Sequence, residues 1–415
     1  MISRFCFNIS FQDNVKNFFS IPFYKKRDED ENLKNELLKI YNHSKFYFFD
    51  YGRTALYELL LQIKEKTDKK KILVNSLTLF EVVNVIIYSG FQPVFIDNKN
   101  KSFETKIDLN DYQRDINDIA AIIVTHLNGI NSNIFNITKQ ISDHNKNNEK
   151  IYLIEDCAVS LGAEINSKNV GTFGDYSFLS FNLMKNLTSY TGGVLIDNFN
   201  NIKDINKKNY KELSKFNILS KIIFTLTLQI LNSKIFFRIF FQIIKLSHKF
   251  SINFFLKKYR TDFEVTIQKK FPSKYSYFMH PFQKKILINQ FNTIGDLQNS
   301  RIKKSEIYYN ALKNIDELFF PQTKFTKENI FLDFPILCTS RNVKNDLFFY
   351  LTGNNIDVKN YYYKNCSEEK IYNSNHLCKN SKDISDNILM LPVHKKINFE
   401  HQNLIIEKIK TFFKK

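Results

Sequence analysis

The sequence predicts an α/β protein that has a mainly parallel central sheet with helices on both faces, followed by a smaller C-terminal α+β domain. Between residues 45 and 200, short apolar runs alternate with helical patterns, and eight of the ten glycines lie in this stretch. Uninterrupted apolar runs are typical of parallel strands that are buried on both faces. After residue 271 the pattern changes to longer helical segments with two strand-like runs, which indicates the second domain.

Six runs rich in β-branched and aromatic residues predict the strands of the large sheet: KILVN (71–75), PVFID (93–97), AAIIVTH (120–126), IYLIE (151–155), YSFLSF (176–181) and GGVLID (192–197). Helical periodicity between them predicts helices at 53–65, 78–88 and 132–147. Ligands of such sheets bind at the carboxyl ends of the strands. The polar residues that directly follow these runs are therefore the candidates for chemistry.

The chain divides into four predicted regions: an N-terminal segment at 1–44, a large α/β domain at 45–210, a basic apolar helical insertion at 211–270 and a small domain at 271–415. In the small domain, helical patterns cover 283–315, 340–353 and the chain from about 399. The runs FLDFPIL and ILMLPV predict its strands.

Composition narrows the function classes. The five cysteines are scattered without a Cys-x-x-Cys spacing, so we expect neither a disulfide framework nor a metal site, and a reducing cytoplasm fits best. The formal charge of +18 is spread over the whole chain, and without a basic recognition helix it does not predict nucleic-acid binding. The first residues lack the apolar region of a secretion signal, and no apolar run is long enough to indicate a membrane span.

Two acidic residues, Glu155 and Asp156, stand where the run IYLIE ends. One interpretation is a carboxylate that caps a helix or anchors a loop. The other is a carboxylate that pairs with the protonated nitrogen of a heterocyclic cofactor. The residues alone leave both interpretations open.

A lysine and a helix start provide two further candidates. Lys185 follows the strand run 176–181 in a loop rich in Asn, Ser and Thr, where a partly desolvated amine can become nucleophilic. The segment Gly52-Arg53-Thr54 opens a predicted helix, and exposed N–H groups at such a position bind phosphate. A plain N-terminal cap by Thr54 is the alternative.

The order of several motifs resembles one family. GRTALY, NSLTL, SGFQPVFID, IIVTHLNG, IEDCAVSLGA and VGTFGDYSFLSFNLMKNLTSYTGG follow one another as in the DegT/StrS-type sugar aminotransferases, densely over about 50–200. YFMHPFQ and ILMLPVH are similar to parts of the family's small domain. The resemblance implies a type I fold dependent on pyridoxal 5′-phosphate (PLP) and a homodimer with active sites between its subunits.

The resemblance also implies roles for individual residues. Lys185 corresponds to the catalytic lysine that holds PLP as a Schiff base and shuttles the proton, and Asp156 corresponds to the partner of the pyridine nitrogen. Ser180, Arg53 and Thr54 correspond to phosphate-binding elements. The implied reaction moves an amino group from glutamate to a keto group of a nucleotide-linked sugar, for surface polysaccharide or glycan biosynthesis.

Four positions depart from the family pattern. Leu79 replaces the aromatic residue that stacks on the cofactor ring, and Val159 replaces a Gln or His near its phenolic oxygen. Thr191 replaces a Glu near the sugar, and Ser276 replaces an Asn that reaches the neighbouring subunit's phosphate. These departures leave an alternative function, that of a catalytically degenerate family member acting as a membrane-associated binding or assembly partner.

The insertion carries no Asp or Glu from 213 to 261 and predicts two helices, each with a narrow polar stripe. The stripes are Asn217, Lys221, Thr225, Gln229 and Asn232 in the first half, and Lys234, Arg238, Gln242, Lys245 and Lys249 in the second. One interpretation is a helical hairpin packed on its own domain or at a dimer interface. The other is a peripheral membrane contact through 214–260, which would place the protein at the inner face of the membrane.

Overall fold

A nine-stranded mixed sheet forms the centre of the large domain. The computed structural model describes residues 1–25, 27–203, 205–249, 265–360, 363–374 and 376–414. The strands of this sheet are, in chain order, β1 (Lys45–Phe49), β2 (Lys71–Asn75), β4 (Gln92–Ile96), β5 (Ile119–Thr125), β6 (Tyr152–Asp156), β9 (Tyr176–Ser180), β10 (Gly193–Asp197), β11 (Lys211–Glu212) and β12 (Tyr277–Phe278).

The spatial order of these strands is β11-β12-β1-β10-β9-β6-β5-β2-β4. The run from β4 to β9 is parallel, whereas β10 pairs antiparallel with both β9 and β1. All six predicted strands are confirmed within a residue or two at their ends, and so is the predicted α/β fold class.

Both faces of the parallel sheet are buried, which explains why its strands are apolar throughout. In β5, Ile122 and Val124 belong to the hydrophobic cluster on one face, and Ala121 and Ile123 belong to the cluster on the other. The strand therefore shows no polar alternation.

The helices of the large domain are α3 (Gly52–Lys64), α4 (Phe80–Tyr88) and α5 (Ile134–Asn145). They agree with the predicted helices, except that the predicted start at 78 falls on a two-residue strand, β3 (Leu77–Thr78). Three further two-residue strands complete the small ladders: β7 (Glu164–Ile165), β8 (Lys168–Asn169) and β15 (Lys364–Asn365). Strand β15 pairs with β3 and so connects the C-terminal region to the large domain.

The chain order creates a switch point in the sheet. From β2 the chain moves outward to β4, and from β4 it crosses to β5 on the other side of β2. Crevices at such points, at the carboxyl ends of the strands, are the usual binding sites of open α/β sheets. Here β5, β6 and β9 all end in polar residues, namely Thr125, Asp156 and Ser180.

The small domain is built on the antiparallel sheet β13-β14-β16. Its strands are β13 (Leu318–Phe319), β14 (Phe334–Cys338) and β16 (Ile388–Leu391). Helix α8 (Pro281–Ile288) precedes this domain in the chain, and its buried residues pack in the hydrophobic clusters of the large domain and of the N-terminal segment. The helices of the small domain are α9 (Ile294–Leu312), α10 (Arg341–Gly353), α11 (Lys379–Asn387) and α12 (Phe399–Phe413). The two predicted strands are confirmed. The single helical pattern predicted at 283–315 comprises two helices, because the chain leaves the α-helix between Ile288 and Ile294.

Four more helices lie outside these two sheets. The N-terminal segment forms α1 (Phe11–Ser20), capped by Ser10, and α2 (Glu29–Leu38), capped by Asp28. The insertion forms α6 (Lys215–Leu231) and α7 (Lys234–Lys249), so its two predicted helices are confirmed. Residues 250–264 of the insertion lie outside the described residues.

Candidate active site

Asp156 is the last residue of β6 and is almost fully buried at the carboxyl edge of the sheet. Its carboxylate accepts a hydrogen bond from the Ala158 N–H at 3.0 Å and a long one from the Thr125 hydroxyl at 3.5 Å. Burial raises the pKa of Asp156, while the Ala158 N–H and Lys185 act in the opposite direction. A carboxylate in this environment is stabilised by a nearby cation.

Glu155, its neighbour, has the other role that the sequence leaves open. Its carboxylate accepts three backbone N–H groups, from Gly171 at 2.9 Å, Phe173 at 2.7 Å and Gly174 at 2.8 Å. It therefore anchors the loop that precedes β9. His126, Cys157 and Glu155 bring possible metal-ligand atoms within 4.8 Å of one another, but the hydrogen bonds to Glu155 give this cluster a structural role.

Lys185 lies in the loop after β9 and is partly buried. Burial lowers the pKa of its amine, Asp156 raises it, and Lys359 lowers it further. The pKa values of Lys185 and Asp156 are both shifted toward the neutral form, because desolvation outweighs the attraction between the two groups. A lowered pKa increases the fraction of neutral amine on Lys185, which is the form that a nucleophile requires.

The backbone around Lys185 is held by residues that the sequence does not single out. The side chain of Asn8 donates to the carbonyl oxygens of Lys185 at 2.8 Å and Asn186 at 2.7 Å. The Asn186 side chain donates to the Val159 carbonyl at 3.1 Å and accepts from Arg301. Neither Asn8 nor Arg301 stands in a recognisable motif, so only the fold reveals them.

The N-terminus of α3 lies against the end of β9. A Cβ atom added to Gly52 would lie 3.0 Å from the Leu179 carbonyl oxygen and 3.1 Å from the Ser180 Cβ, so glycine allows this close approach. The N-cap residue Tyr51 makes no side-chain hydrogen bond to the helix. The first N–H groups of α3 and the Ser180 hydroxyl therefore form an arrangement suited to a phosphate group.

Arg53 and Thr54 border this arrangement. Arg53 pairs with Glu81 at 3.6 Å and stacks 4.6 Å from the centre of the Tyr275 ring. The Thr54 hydroxyl is fully buried and donates to the Tyr275 carbonyl at 2.8 Å. Thr54 is thus not the N-terminal cap of α3, because Tyr51 occupies that position. The interpretation of Thr54 as a plain cap is therefore wrong. Its contact with a phosphate stays a prediction.

The four departures from the family pattern have different surroundings. Leu79 is the N-cap residue of α4 and is 38% exposed, as a residue facing an open ligand site would be. Val159 and Thr191 are buried, and Ser276 is half-buried. The replacement at 191 therefore concerns the interior of the protein, whereas that at 79 concerns an accessible surface.

Thr191 belongs to a buried polar network beside the start of α3. The Lys221 amine, from α6, lies 2.6 Å from one Asp50 carboxylate oxygen, 2.7 Å from the other and 2.6 Å from the Thr191 hydroxyl. The Gln283 amide donates to Asp50 at 3.1 Å and to the Thr191 hydroxyl at 2.9 Å. Because Asp50 precedes α3 by two residues, the insertion helps to fix the predicted phosphate site.

Together, the sheet edge, the amine of Lys185, the buried Asp156 and the α3 N-terminus define the class of enzymes that hold a phosphorylated pyridine cofactor. The family model of the DegT/DnrJ/EryC1/StrS aminotransferases matches residues 39–215 and 253–410. The chain belongs to this family, which confirms the resemblance seen in the sequence.

Solved structures with this fold cover almost the whole chain. Helicobacter pylori PseC, an aminotransferase involved in the biosynthesis of pseudoaminic acid, superposes with a TM-score of 0.71 at 18% identity, covering 100% of this chain and 99% of PseC. The sugar aminotransferase CalS13 from Micromonospora echinospora gives a TM-score of 0.72 at 15% identity, covering 99% and 100%. At these identities the likeness establishes the fold.

Curated relatives match over a shorter stretch. GDP-perosamine synthase from Vibrio cholerae is 34% identical over 154 residues, which is 37% of this chain and 40% of that protein. A UDP-4-amino-4,6-dideoxy-N-acetyl-beta-L-altrosamine transaminase from Campylobacter jejuni is 31% identical over 144 residues, 33% of this chain and 35% of that protein. The matched part thus spans about two fifths of the length of the first relative.

The cofactor of this family is PLP, and the described residues fit it. PLP requires an amine for its aldehyde carbon, an acid for its ring nitrogen and an anion site for its phosphate. Lys185, Asp156 and the α3 N-terminus with Ser180 provide these groups. A protonated ring nitrogen supplies the cation that the buried Asp156 carboxylate requires, which is the most specific point of agreement.

Proposed function

We propose that this protein is a PLP-dependent aminotransferase that moves an amino group from glutamate to a keto group of a nucleotide-linked sugar. The observation that carries the proposal is that Lys185, in the loop after β9, lies within electrostatic reach of the buried Asp156 at the carboxyl edge of the sheet. The names of two relatives include a GDP-linked and a UDP-linked amino sugar, which supports the substrate class.

The residues have distinct roles in this proposal. PLP, when bound, supplies the electron sink that makes a carbon–hydrogen bond of the amino donor acidic. Lys185 would supply the amine that binds the cofactor and, when released, would move a proton between the substrate carbon and C4′ of the cofactor. Asp156 holds the ring nitrogen in its protonated form, and the N–H groups at the start of α3 with Ser180 bind the phosphate.

Lys185 can act as a base because burial lowers the pKa of its amine. An amine with its ordinary pKa is almost entirely protonated at neutral pH and cannot accept a proton. Lowering that pKa increases the fraction of neutral amine, so the same burial supports both attack on a carbonyl carbon and proton transfer.

A homodimer with active sites between its subunits, and a location in the cytoplasm at the inner face of the membrane, are parts of the same proposal. The exposure of Leu79 is consistent with a neighbouring subunit that completes the site. Mass determination in solution tests the dimer, since a monomer that is fully active would contradict it.

The test of function is a transamination assay with PLP-loaded protein, glutamate and a panel of keto-sugar nucleotides, read by mass. We expect one nucleotide to gain an amino group in place of its keto oxygen, and Lys185→Ala to give no product. Failure with every nucleotide and amino donor, despite bound PLP, would contradict the proposed reaction.

A second function is favoured by one observation, the large exposed apolar surface on α6 and α7. In this alternative the chain is a catalytically degenerate family member that serves as a membrane-associated binding or assembly partner. A strain carrying Lys185→Ala distinguishes the two functions. Loss of glycan synthesis in that strain supports the enzyme, and undiminished synthesis supports the alternative.

A further inference from the structure

Helix α6 turns most of its polar stripe, together with Ile218 and Ile222, toward the protein and leaves other apolar side chains exposed to solvent. Within its polar stripe, Lys221 pairs with Asp50, and the Gln229 amide donates to the Ile9 carbonyl at 2.9 Å. Asn232 donates to the Phe5 carbonyl at 3.2 Å. The stripe that would face water in an ordinary surface helix is thus occupied by the N-terminal segment and the active-site network.

The opposite side of α6 is exposed and apolar. Phe216 is 77% exposed and Phe224 is 59% exposed. These residues follow one another at helical spacing on one side of the helix: Phe216, Ile223, Phe224, Ile230 and Leu231.

Helix α7 is apolar on two sides. Its inner side, formed by Phe237, Phe241 and Ile244, joins the hydrophobic core of the small domain. Its outer side is exposed and consists of Ile235, Phe236, Ile239, Phe240, Ile243 and Leu246. The core of the protein therefore accounts for only three of the nine large apolar residues of this helix.

We call the exposed apolar residues of α6 and α7 together the outer face. Eleven large apolar side chains on two consecutive helices exceed what scattered surface residues explain, and such patches mark interaction sites. No described helix alone is long and apolar enough to cross a membrane, although Lys215–Leu231 and Lys234–Ser247, bent by 74°, meet that criterion jointly.

The charged residues around the outer face indicate which kind of partner binds it. Residues 213–261 include no acidic side chain, whereas Lys215, Lys234 and Arg238 are exposed on the two helices. In a symmetric dimer an isologous contact brings the same patch of both subunits together. Two copies of the outer face would therefore place cations against cations, and residues 213–261 supply no carboxylate to separate them.

An anionic lipid surface matches both the exposed apolar side chains of the outer face and the cations beside them. We propose that α6 and α7 dock this protein on an anionic membrane, with the outer face in the interfacial layer and the Lys and Arg side chains on the lipid phosphates. Amphipathic helices with aromatic and aliphatic residues on one side and cations beside them bind in this way. The Asp50–Lys221 network lies on the side of α6 that faces the protein, opposite the outer face. Docking therefore leaves this network in place.

The test is co-sedimentation of the full-length protein with lipid vesicles. We expect it to pellet with phosphatidylcholine vesicles that contain about a quarter phosphatidylglycerol, and much less with phosphatidylcholine alone. The double variant Phe224→Ser, Phe236→Ser should reduce the bound fraction about tenfold or more, because both rings leave the interface. Its matched control is Phe135→Ser, Phe399→Ser, which removes two exposed rings elsewhere and should bind as the unaltered protein does.

Three results would overturn the proposal. The first is no pelleting with the anionic vesicles, and the second is an equal loss of binding in the control variant. The third is a fall in solution mass of the Phe224→Ser, Phe236→Ser variant with unaltered lipid binding, which would assign the outer face to a contact between copies of this chain. Circular dichroism of both variants verifies that they are folded.

Discussion

The two adjacent carboxylates at the end of β6, Glu155 and Asp156, have different surroundings. Glu155 and Asp156 point to opposite sides of the same strand, as successive strand residues do. Glu155 meets three N–H donors, whereas Asp156 meets one backbone N–H and the field of Lys185. The first carboxylate is fully hydrogen-bonded within the protein, whereas the second has fewer hydrogen bonds and is available to a bound cation.

Replacing Asp156 should change the stability of the PLP-free protein and its affinity for PLP in opposite directions. Burial raises the pKa of Asp156 in the folded protein above its ordinary value, so the contribution of this group to folding is most favourable at low pH and is lost as the pH rises through the folded-state pKa. We therefore expect Asp156→Asn to stabilise the PLP-free protein at neutral pH and to lose this advantage as the pH falls below about 4. Urea unfolding at neutral and at acidic pH measures the difference in stability between the variant and the unaltered protein. The variant should also bind PLP more weakly, because it lacks the carboxylate for the ring nitrogen.

The matched control for this variant is Glu155→Gln. It should destabilise the protein by roughly 2 kcal/mol at neutral pH, because a carboxylate that accepts three buried N–H groups is lost. If Asp156→Asn were as destabilising as Glu155→Gln, Asp156 would be a structural residue and its assignment to the cofactor would be wrong.

At the scale of elements, α3 and β10 depend on one close contact. A Cβ atom added to Gly193 would lie 2.2 Å from the carbonyl carbon and oxygen of Tyr51. Since Tyr51 is the N-cap residue of α3, this contact sets the distance between the helix start and the sheet. The Gly-Gly pair after Lys185 therefore serves the phosphate site through packing.

Gly193→Ala should displace α3 and cost about 3 kcal/mol or more of stability, because backbone rather than a flexible side chain blocks the added methyl group. The control is Gly295→Ala in α9, where nothing lies within 4 Å of the added atom, and it should change stability by about 0.5 kcal/mol or less. Chemical denaturation of both variants measures the difference. Equal stability of the two would show that α3 does not rest on β10 as described.

The sequence predicts elements where periodicity and burial agree. The strands of the sheet are continuous apolar runs because both of their faces are covered, and the pattern alone identifies them. In α6 the periodicity predicts the polar stripe correctly, but it carries no information about which side of the helix is buried. The inward orientation depends on Asp50 and on the N-terminal segment, which lie far away in the sequence.

At the scale of the whole molecule, distant segments converge on the loop that carries Lys185. Asn8, from the N-terminal segment, holds its backbone, Lys221 from the insertion reaches Asp50, and Arg301 from the small domain contacts Asn186. The family resemblance locates Lys185, Asp156 and Ser180 because their order is specific. It does not locate the supporting residues, since they belong to no motif and become neighbours only through folding.

Lys221→Met should lower the free energy of unfolding by roughly 3 kcal/mol, because it leaves Asp50 buried without its cation. Adding Asp50→Asn should restore at least half of that loss, since the amide can share the hydrogen bonds of Thr191 and Gln283. Lys234→Met, at an exposed position of α7, is the control and should be nearly neutral. A similar loss in both lysine variants would contradict the buried network.

The most direct test of the account is to reduce the PLP-loaded protein with borohydride and to locate the modified residue by peptide mass spectrometry. We expect a visible absorption band that borohydride bleaches, and a pyridoxyl group on Lys185. Lys185→Ala should show neither. Modification of a different lysine in the folded protein, or a band that persists in Lys185→Ala, would contradict it.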